Sequence, residues 1–137
     1  MMKVKALYLL VVDDDSVVRY SIKLTLKNLR GVTLLEAKDG QEALGLLEKY
    51  GNEVGLMITD HDMPGMSGGQ LIAKAKAQFP KIRSILISGR LQQKDIDRME
   101  GLSRPTFFLA KPFYTVVIRI LAVSLITNFQ TGVRPPK

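Results

Sequence analysis

The sequence contains no cysteine among its 137 residues. The protein can therefore form neither a disulfide framework nor a thiolate metal site, which fits a reducing compartment. The chain also lacks an apolar run of the roughly 20 residues needed to cross a bilayer, because the most apolar stretch, residues 115–129, is shorter and contains Arg119. Three aspartates, Asp13 to Asp15, follow the apolar start of the chain where a secretory signal would have small residues. We predict no membrane segment and a cytoplasmic location.

Acidic residues are few beside basic ones: 13 Asp and Glu oppose 20 Lys and Arg, giving a net charge of +7. The acids are also unevenly placed, since five of the thirteen are Asp13, Asp14, Asp15, Asp60 and Asp62. A basic surface attracts nucleic acid, membranes and acidic proteins, or simply keeps a protein soluble. No nucleic-acid-binding motif accompanies the charge, so we predict no direct nucleic-acid binding.

The composition, 46% hydrophobic and 24% charged residues, is typical of one globular domain. No internal repeat or low-complexity run appears, and we predict one domain over residues 1–130 with a tail or the start of a linker at 131–137. Short apolar runs predict strands at residues 7–12, 32–36, 56–60, 84–87 and 106–110. Helical patterns alternate with them at residues 17–30, 43–50, 69–78, 94–100 and 115–129. The alternation predicts an α/β fold with a doubly wound, five-stranded parallel sheet flanked by helices.

The stretch VGLMITDHDMPGMSGG, residues 54–69, is the centre of this pattern. Its apolar run is stopped by Asp60 and then by Pro64 and Gly65, which predicts a buried strand that opens into a loop. The other strand ends also carry polar side chains: Asp13 and Asp14 after the first strand, Ser88 after the fourth and Lys111 after the fifth. Ligands bind at the carboxyl edge of open α/β sheets, so we expect these groups to lie together.

Crowded carboxylates repel one another unless a cation neutralises them. Oxygen ligands of this kind suit Mg²⁺, which takes one or two carboxylates together with substrate phosphate. A carboxylate can itself be the nucleophile and form an acyl phosphate, provided that positive groups offset the charge of the phosphoryl oxygens. Mg²⁺, the Lys111 ammonium and the Ser88 hydroxyl are suited to that task. The strand ends therefore predict phosphoryl chemistry.

Four motifs follow predicted strands in order: VVDDDSVVR, ITDHDMPGMSG, the pair Ser88 and Gly89, and AKPF at residues 110–113. Together they resemble the receiver domain of bacterial two-component response regulators, over about residues 7–129. The resemblance implies a flavodoxin-like (CheY-like) sheet of order 2-1-3-4-5. It also implies a signalling domain that is not an enzyme in its own right but assists its own phosphorylation and dephosphorylation.

The resemblance makes Asp60 the phosphoacceptor, with a sensor histidine kinase, a phosphotransfer protein or a small molecule as phosphodonor. Asp13, Asp14 and Asp60 would hold Mg²⁺, assisted by the backbone carbonyl of Asp62. Lys111 would bind the phosphoryl group, and the bond from Lys111 to the proline after it is often cis in the family. Ser88 and Phe108 occupy the two switch positions, where the aromatic ring turns inward when the hydroxyl moves to meet phosphate.

Other interpretations stay open at this point. Asp60 and Asp62 form the D-x-D of a magnesium-dependent phosphatase of the haloacid dehalogenase type, and a degenerate receiver used only for binding is a further possibility. His61, the single histidine, is either a functional neighbour of Asp60 that ligates metal or tunes hydrolysis, or a solvated loop residue. Singly, Lys111 also fits a solvated lysine and Phe108 a core aromatic.

Two surfaces are predicted from helical spacing. Four basic residues of the first helix recur on one face, which is either a docking surface for an acidic partner or a solvated face: Arg19, Lys23, Lys27 and Arg30. The last helix is apolar nearly all round, and a receiver signals through the face made by the fourth helix, fifth strand and fifth helix. We expect a homodimer or an output domain on that face, or cover from the tail or a downstream domain. Residues 90–105 depart from the family pattern there.

Overall fold

The protein is described by a computed structural model, which covers residues 5–89, 107–112 and 115–131. One parallel sheet has the strand order β2-β1-β3-β4-β5. Its strands are β1 (Leu7–Val12), β2 (Val32–Ala37), β3 (Val54–Asp60), β4 (Arg83–Ser88) and β5 (Phe107–Ala110). The helices are α1 (Ser16–Leu26), α2 (Gly40–Tyr50), a 3₁₀ turn (Gly51–Glu53), α3 (Gly68–Gln78) and the C-terminal helix (Thr115–Thr131). The predicted fold class and strand order are confirmed.

Both faces of the sheet are covered, because alternate residues of the central strands point to opposite sides. Leu9, Ile58 and Ile85 belong to a core cluster with α1 and the C-terminal helix. Leu10 and Met57, the chain neighbours of Leu9 and Ile58, belong to a second cluster with α2 and α3 on the opposite face. β3 is buried along its whole length, which explains why its sequence reads as a continuous apolar run.

The predicted strand boundaries differ from the structure by at most two residues, but the first helix is shorter than predicted. It ends at Leu26, and Lys27 is already extended. Asn28 has a positive φ of 66°, and Arg119 of the C-terminal helix donates to the carbonyl oxygen of Thr25 at 2.7 Å. A distant side chain thus satisfies a carbonyl that a continuing helix would have used. The predicted helix at 94–100 lies outside the described residues.

Replacing Arg119 by Met is expected to lower the free energy of unfolding by about 1 kcal/mol, because the carbonyl groups at the end of α1 lose a charged donor. Lys74→Met, an exposed position of α3 that loses the same charge, is the matched control. Urea denaturation of both variants measures the difference as a lower midpoint at unchanged slope for Arg119→Met. Equal midpoints would contradict the capping role.

The basic face of α1 is partly used inside the molecule. Glu36 of β2 pairs with Arg19 at 2.9 Å and with Lys23. The hydrogen bonds from Lys23 and Arg19 hold the pKa of Glu36 below its usual value. Arg30 lies beyond the end of the helix. The predicted row of four like charges on one helical face is therefore wrong, because Arg19 and Lys23 pair with Glu36 of β2 and the other two residues, Lys27 and Arg30, lie beyond the last helical residue.

The C-terminal helix buries one face and exposes part of another. Its buried side chains face the sheet: Ile118, Ala122, Leu125 and Ile126. Val116, Ile120 and Val123 are exposed by 57%, 63% and 40%. Arg119, which contacts α1, lies beside this apolar stripe on the helix surface, so the stripe is on the α1 side of the helix. None of the helices in the described residues is long and apolar enough to cross a membrane.

Candidate functional site

The carboxyl ends of four strands meet at one edge of the sheet. The register pairs Val12 with Thr59 and Asp60 with Ile87, so the residues that follow β1 lie beside the end of β3. Ser88 pairs with Ala110, the residue before Lys111. The backbone N–H of Lys111 also donates to the carbonyl oxygen of Ser88 at 2.9 Å. Parallel pairing thus brings the predicted site residues of β1, β3, β4 and β5 together.

Asp60 forms an ion pair with Lys111 at the centre of this edge. The Asp60 side chain is buried, and its Oδ1 lies 3.1 Å from the Lys111 Nζ. Burial lowers the pKa of Lys111, but the hydrogen bond and charge of Asp60, with the charges of Asp13 and Asp62, outweigh it and hold the pKa above its ordinary value. Lys111 therefore stays charged next to Asp60. The peptide bond from Lys111 to Pro112 is cis.

Three carboxylates crowd at this edge. Asp13, Asp14 and Asp60 offer oxygen atoms that all lie within 4.8 Å of one another. Burial raises the pKa of Asp13 from 3.8 to about 6; the hydrogen bond from the backbone N–H of Asp15 opposes this effect and the negative charge of Asp60 adds to it. The cluster is thus short of positive charge even with Lys111 beside it.

The residues present fit a magnesium ion. Among the described residues, the Lys111 ammonium is the one partner of the buried Oδ1 of Asp60, and no other donor reaches this oxygen. An oxygen in that state is available as a ligand. In an octahedron with ligands at about 2.1 Å, ligand atoms lie roughly 3.0 to 4.2 Å apart, so the cluster is close to the required size. Asp13, Asp14 and Asp60 are the residues that would hold the ion.

Magnesium is expected to stabilise the protein more at neutral than at acid pH. The pKa of Asp13 is raised, so its contribution to stability is full below pH 3.8, its ordinary value, and is lost as the pH rises through about 6. The loss is on the order of 2–3 kcal/mol. Mg²⁺ requires the ionised carboxylate and binds only the native state, so millimolar Mg²⁺ should raise the melting temperature at about pH 7.5 and much less at about pH 5.

Asp13→Asn is the control for this effect, because it removes the titrating carboxyl group and one ligand. The variant should melt higher than the wild type in metal-free buffer at about pH 7.5 and should gain little from Mg²⁺. A wild-type melting temperature that is indifferent to millimolar Mg²⁺ at neutral pH would contradict a metal site at this edge.

Ser88 and Asp62 are joined by a contact that the sequence did not reveal. The Ser88 hydroxyl donates to Oδ2 of Asp62 at 2.9 Å. From the sequence, Asp62 was expected to contribute only its backbone carbonyl. The hydroxyl predicted to bind phosphate is therefore held by a neighbouring carboxylate in this structure.

His61 is bonded into the loop between β3 and α3. Its side chain is half-buried, and Nδ1 accepts a hydrogen bond from the backbone N–H of Gly69 at 3.2 Å. Its backbone carbonyl accepts from Met63 and Gly68. His61 is also absent from the metal-ligating cluster of the described residues. The described contacts make His61 a partner of the first turn of α3, and a role of its side chain in hydrolysis stays a prediction.

Phe108 lies in β5, where it pairs with Leu86 of β4. Its ring is half-buried against the core cluster that also contains Leu86. It lies three residues before Lys111, in the strand that pairs with the Ser88 end of β4. The described contacts fit a core aromatic, and its role as a switch stays a prediction.

An open groove adjoins the site on the side of α1. Its volume is about 580 Å³, and Val17, Val18 and Ile22 form one wall while Lys111, Pro112 and Thr115 form the other, with Ser21 between. Val17 is 72% exposed. Lys111 lines this groove and also pairs with Asp60, so a molecule in the groove lies next to the carboxylate edge.

The comparisons with known proteins agree with this geometry. The family model of the response regulator receiver domain matches residues 9–121. A chemotaxis protein CheY homolog of Campylobacter jejuni is 47% identical over 70 residues, which are 51% of this chain and 53% of that protein. The sensor kinase CckA of Brucella abortus is 34% identical over 104 residues, which are 76% of this chain and 11% of the kinase.

A solved structure gives the same result. The signal receiver domain of an HD domain-containing protein from Pseudomonas fluorescens matches with a TM-score of 0.81 and 27% identity, over 96% of this chain and 94% of that chain. Both relatives are longer than the part that matches. The chain spans about half the length of the CheY homolog and about a tenth of the length of the kinase. The family match supports the receiver interpretation over the haloacid dehalogenase alternative.

Proposed function

The chain belongs to the response regulator receiver domain family, and from this we propose that Asp60 is the phosphoacceptor of a two-component phosphorelay. The observation that carries the proposal is the position of Asp60: a buried carboxylate at the end of β3, 3.1 Å from the Lys111 ammonium and within reach of two further aspartates. Ionisable groups that are buried beside a specific charge partner are candidates for functional sites.

In the proposed reaction an Asp60 oxygen attacks the phosphorus of a phosphohistidine or of a small phosphodonor. The new bond is the P–O bond of an acyl phosphate, and the bond that breaks joins phosphorus to the donor nitrogen, which leaves with the electron pair and is protonated. Lys111 faces the attacked group and offsets its charge. Mg²⁺, when bound by Asp13, Asp14, Asp60 and the Asp62 carbonyl, supplies the remaining positive charge.

Ser88 and Phe108 are proposed to carry the signal away from Asp60. The Ser88 hydroxyl lies at the same edge and can donate to a phosphoryl oxygen once it leaves Asp62. β4 and β5 are paired at this end, so a shift of Ser88 moves the strand that contains Phe108. The proposed output is a change at the face of β5 and its flanking helices.

The proposed phosphodonor partner is a sensor histidine kinase or a phosphotransfer protein in the cytoplasm. Such a partner must bring a histidine to Asp60, which is buried at the floor of the edge. The groove between α1 and Lys111 gives it an apolar contact beside that carboxylate. The domain itself assists its phosphorylation and dephosphorylation rather than acting as a separate enzyme.

We also propose self-association through the apolar stripe of the C-terminal helix, Val116, Ile120 and Val123. Contiguous exposed apolar surface is typical of protein–protein interaction sites. Light scattering with and without beryllium fluoride should show a dimer, and Ile120→Glu should abolish it. Ala77→Glu, at an exposed position of α3, is the matched control. A monomer under every condition would contradict self-association; buried Leu125 is unsuited to this test because its substitution would unfold the core.

The proposed function is tested by incubating the purified protein with Mg²⁺ and phosphoramidate. A receiver should take up one base-labile phosphoryl group per chain, and a chelator should prevent the uptake. A phosphatase of the haloacid dehalogenase type would instead turn over phosphate esters many times. Catalytic turnover without a stoichiometric acyl phosphate would contradict the proposal.

A further inference from the structure

Both the backbone carbonyl and the side-chain hydroxyl of Ser88 take part in hydrogen bonds. Ser88 is the buried last residue of β4, and its backbone carbonyl accepts a hydrogen bond from the backbone N–H of Lys111 at 2.9 Å. Its hydroxyl donates to the Asp62 carboxylate at 2.9 Å. A serine hydroxyl carries one proton and can donate it to one strong acceptor at a time. An oxygen of a phosphoryl group on Asp60 therefore competes with Asp62 for this donor.

Asp62 is held in place by the loop that contains it. The residue before it, His61, donates its backbone N–H to the carbonyl oxygen of Ile87 at 2.8 Å, which ties the loop to β4. The residue after it, Met63, donates back to the carbonyl oxygen of His61 at 3.0 Å. Both neighbours are thus fixed within reach of the strand that contains Ser88. The backbone on both sides of Asp62 thus keeps its carboxylate within reach of the Ser88 hydroxyl.

We propose that the Asp62 carboxylate is a positioning residue that holds the Ser88 hydroxyl away from Asp60 until a phosphoryl group displaces it. The hydrogen bond is charge-assisted, and bonds of this kind contribute more than neutral ones. The bond between Asp62 and Ser88 must break before Ser88 can donate to the phosphoryl group, and this cost makes that movement of Ser88 less favourable. Asp62 thereby sets how completely phosphorylation moves Ser88, in addition to any role of its backbone carbonyl. The proposal rests on the proposed function of Asp60.

The experiment is a double-mutant cycle on positions 62 and 88, with beryllium fluoride as the phosphoryl analogue in saturating Mg²⁺. Calorimetry gives the affinity of the wild type, Asp62→Ala, Ser88→Ala and the double variant. With Ser88 present, Asp62→Ala should bind the analogue about tenfold more tightly, because the competing hydrogen bond is gone. In the Ser88→Ala background the same substitution should change the affinity by less than about twofold.

The cycle separates this role from simple charge repulsion. If Asp62 acts only by repelling the anion, its removal tightens binding equally in both backgrounds, and that result, or no effect in either, overturns the proposal. Asp62→Asn keeps an acceptor oxygen but removes the charge, and should show a smaller gain than Asp62→Ala. A wild type that does not bind the analogue at all overturns the proposed function of Asp60, and this inference with it.

Discussion

Replacing Asp60 by Asn is expected to reduce phosphoryl labelling to the level of a sample without donor. The amide is a poor nucleophile, and the substitution removes the charge that pairs with Lys111 at 3.1 Å. The variant should remain folded, because it removes one of three crowded carboxylates, whose charge adds to the effect of burial on the pKa of Asp13. Loss of labelling then reports on chemistry and not on unfolding. Radiolabelled phosphoramidate with thermal melting of the same samples measures both.

Asp62→Asn is the matched control for this variant, since it changes the other aspartate of the same loop. It should still be labelled, because the side chain at this position bonds Ser88 and Asp60 keeps its ion pair with Lys111. Lys111→Ala should take up some label but leave the NMR signals of Phe108 unchanged on phosphorylation, because the charge that links the phosphoryl group to β5 is missing. Full labelling of Asp60→Asn would contradict the assignment.

Gly68→Ala is expected to destabilise the fold by about 3 kcal/mol and to slow phosphorylation. A Cβ atom at Gly68 would lie 2.3 Å from the carbonyl oxygen of Asp60 and 2.8 Å from Cδ1 of Leu86. The first of these neighbours is backbone, so the start of α3 must move away from the end of β3. That movement also strains the hydrogen bond from the Gly68 N–H to the His61 carbonyl and displaces Asp60.

Gly45→Ala is the matched control, because the same change at the middle of α2 meets no atom within 4 Å. It should stabilise the protein by about 0.5–1 kcal/mol, since alanine is the better helix former. Chemical denaturation of the two variants should therefore give shifts of opposite sign. Equal shifts for Gly68→Ala and Gly45→Ala would show that α3 does not approach Asp60 as closely as the structure has it.

The parts of the fold that the sequence predicts well are those set by local patterns. Apolar runs that end at a polar or turn residue predict the strands. Asp60 and Lys111 could be assigned to one edge of the sheet because the carboxyl ends of parallel strands lie at the same edge. Their contact at 3.1 Å follows from that topology. Asp15 was similarly predictable as a cap of α1, and its side chain accepts the Val17 N–H.

The features that the sequence could not give depend on contacts between distant residues. The end of α1 is set partly by Arg119, which is 94 residues away from Thr25, whose carbonyl it binds. The bond between Ser88 and Asp62 spans 26 residues and depends on the rotamers of two side chains. The spacing of Arg19 along the helix predicts a place on a basic face. Its ion pair with Glu36 depends on the register of β2, which the sequence does not show.

The central claim, that Asp60 accepts the phosphoryl group, is tested most directly by locating the label. Reduction of the acyl phosphate with borohydride followed by peptide mass spectrometry marks the modified carboxyl group. We expect the mark on Asp60 alone, because it is the buried carboxylate paired with Lys111. A mark on Asp62, or a phosphoryl group found on His61 instead, would contradict it.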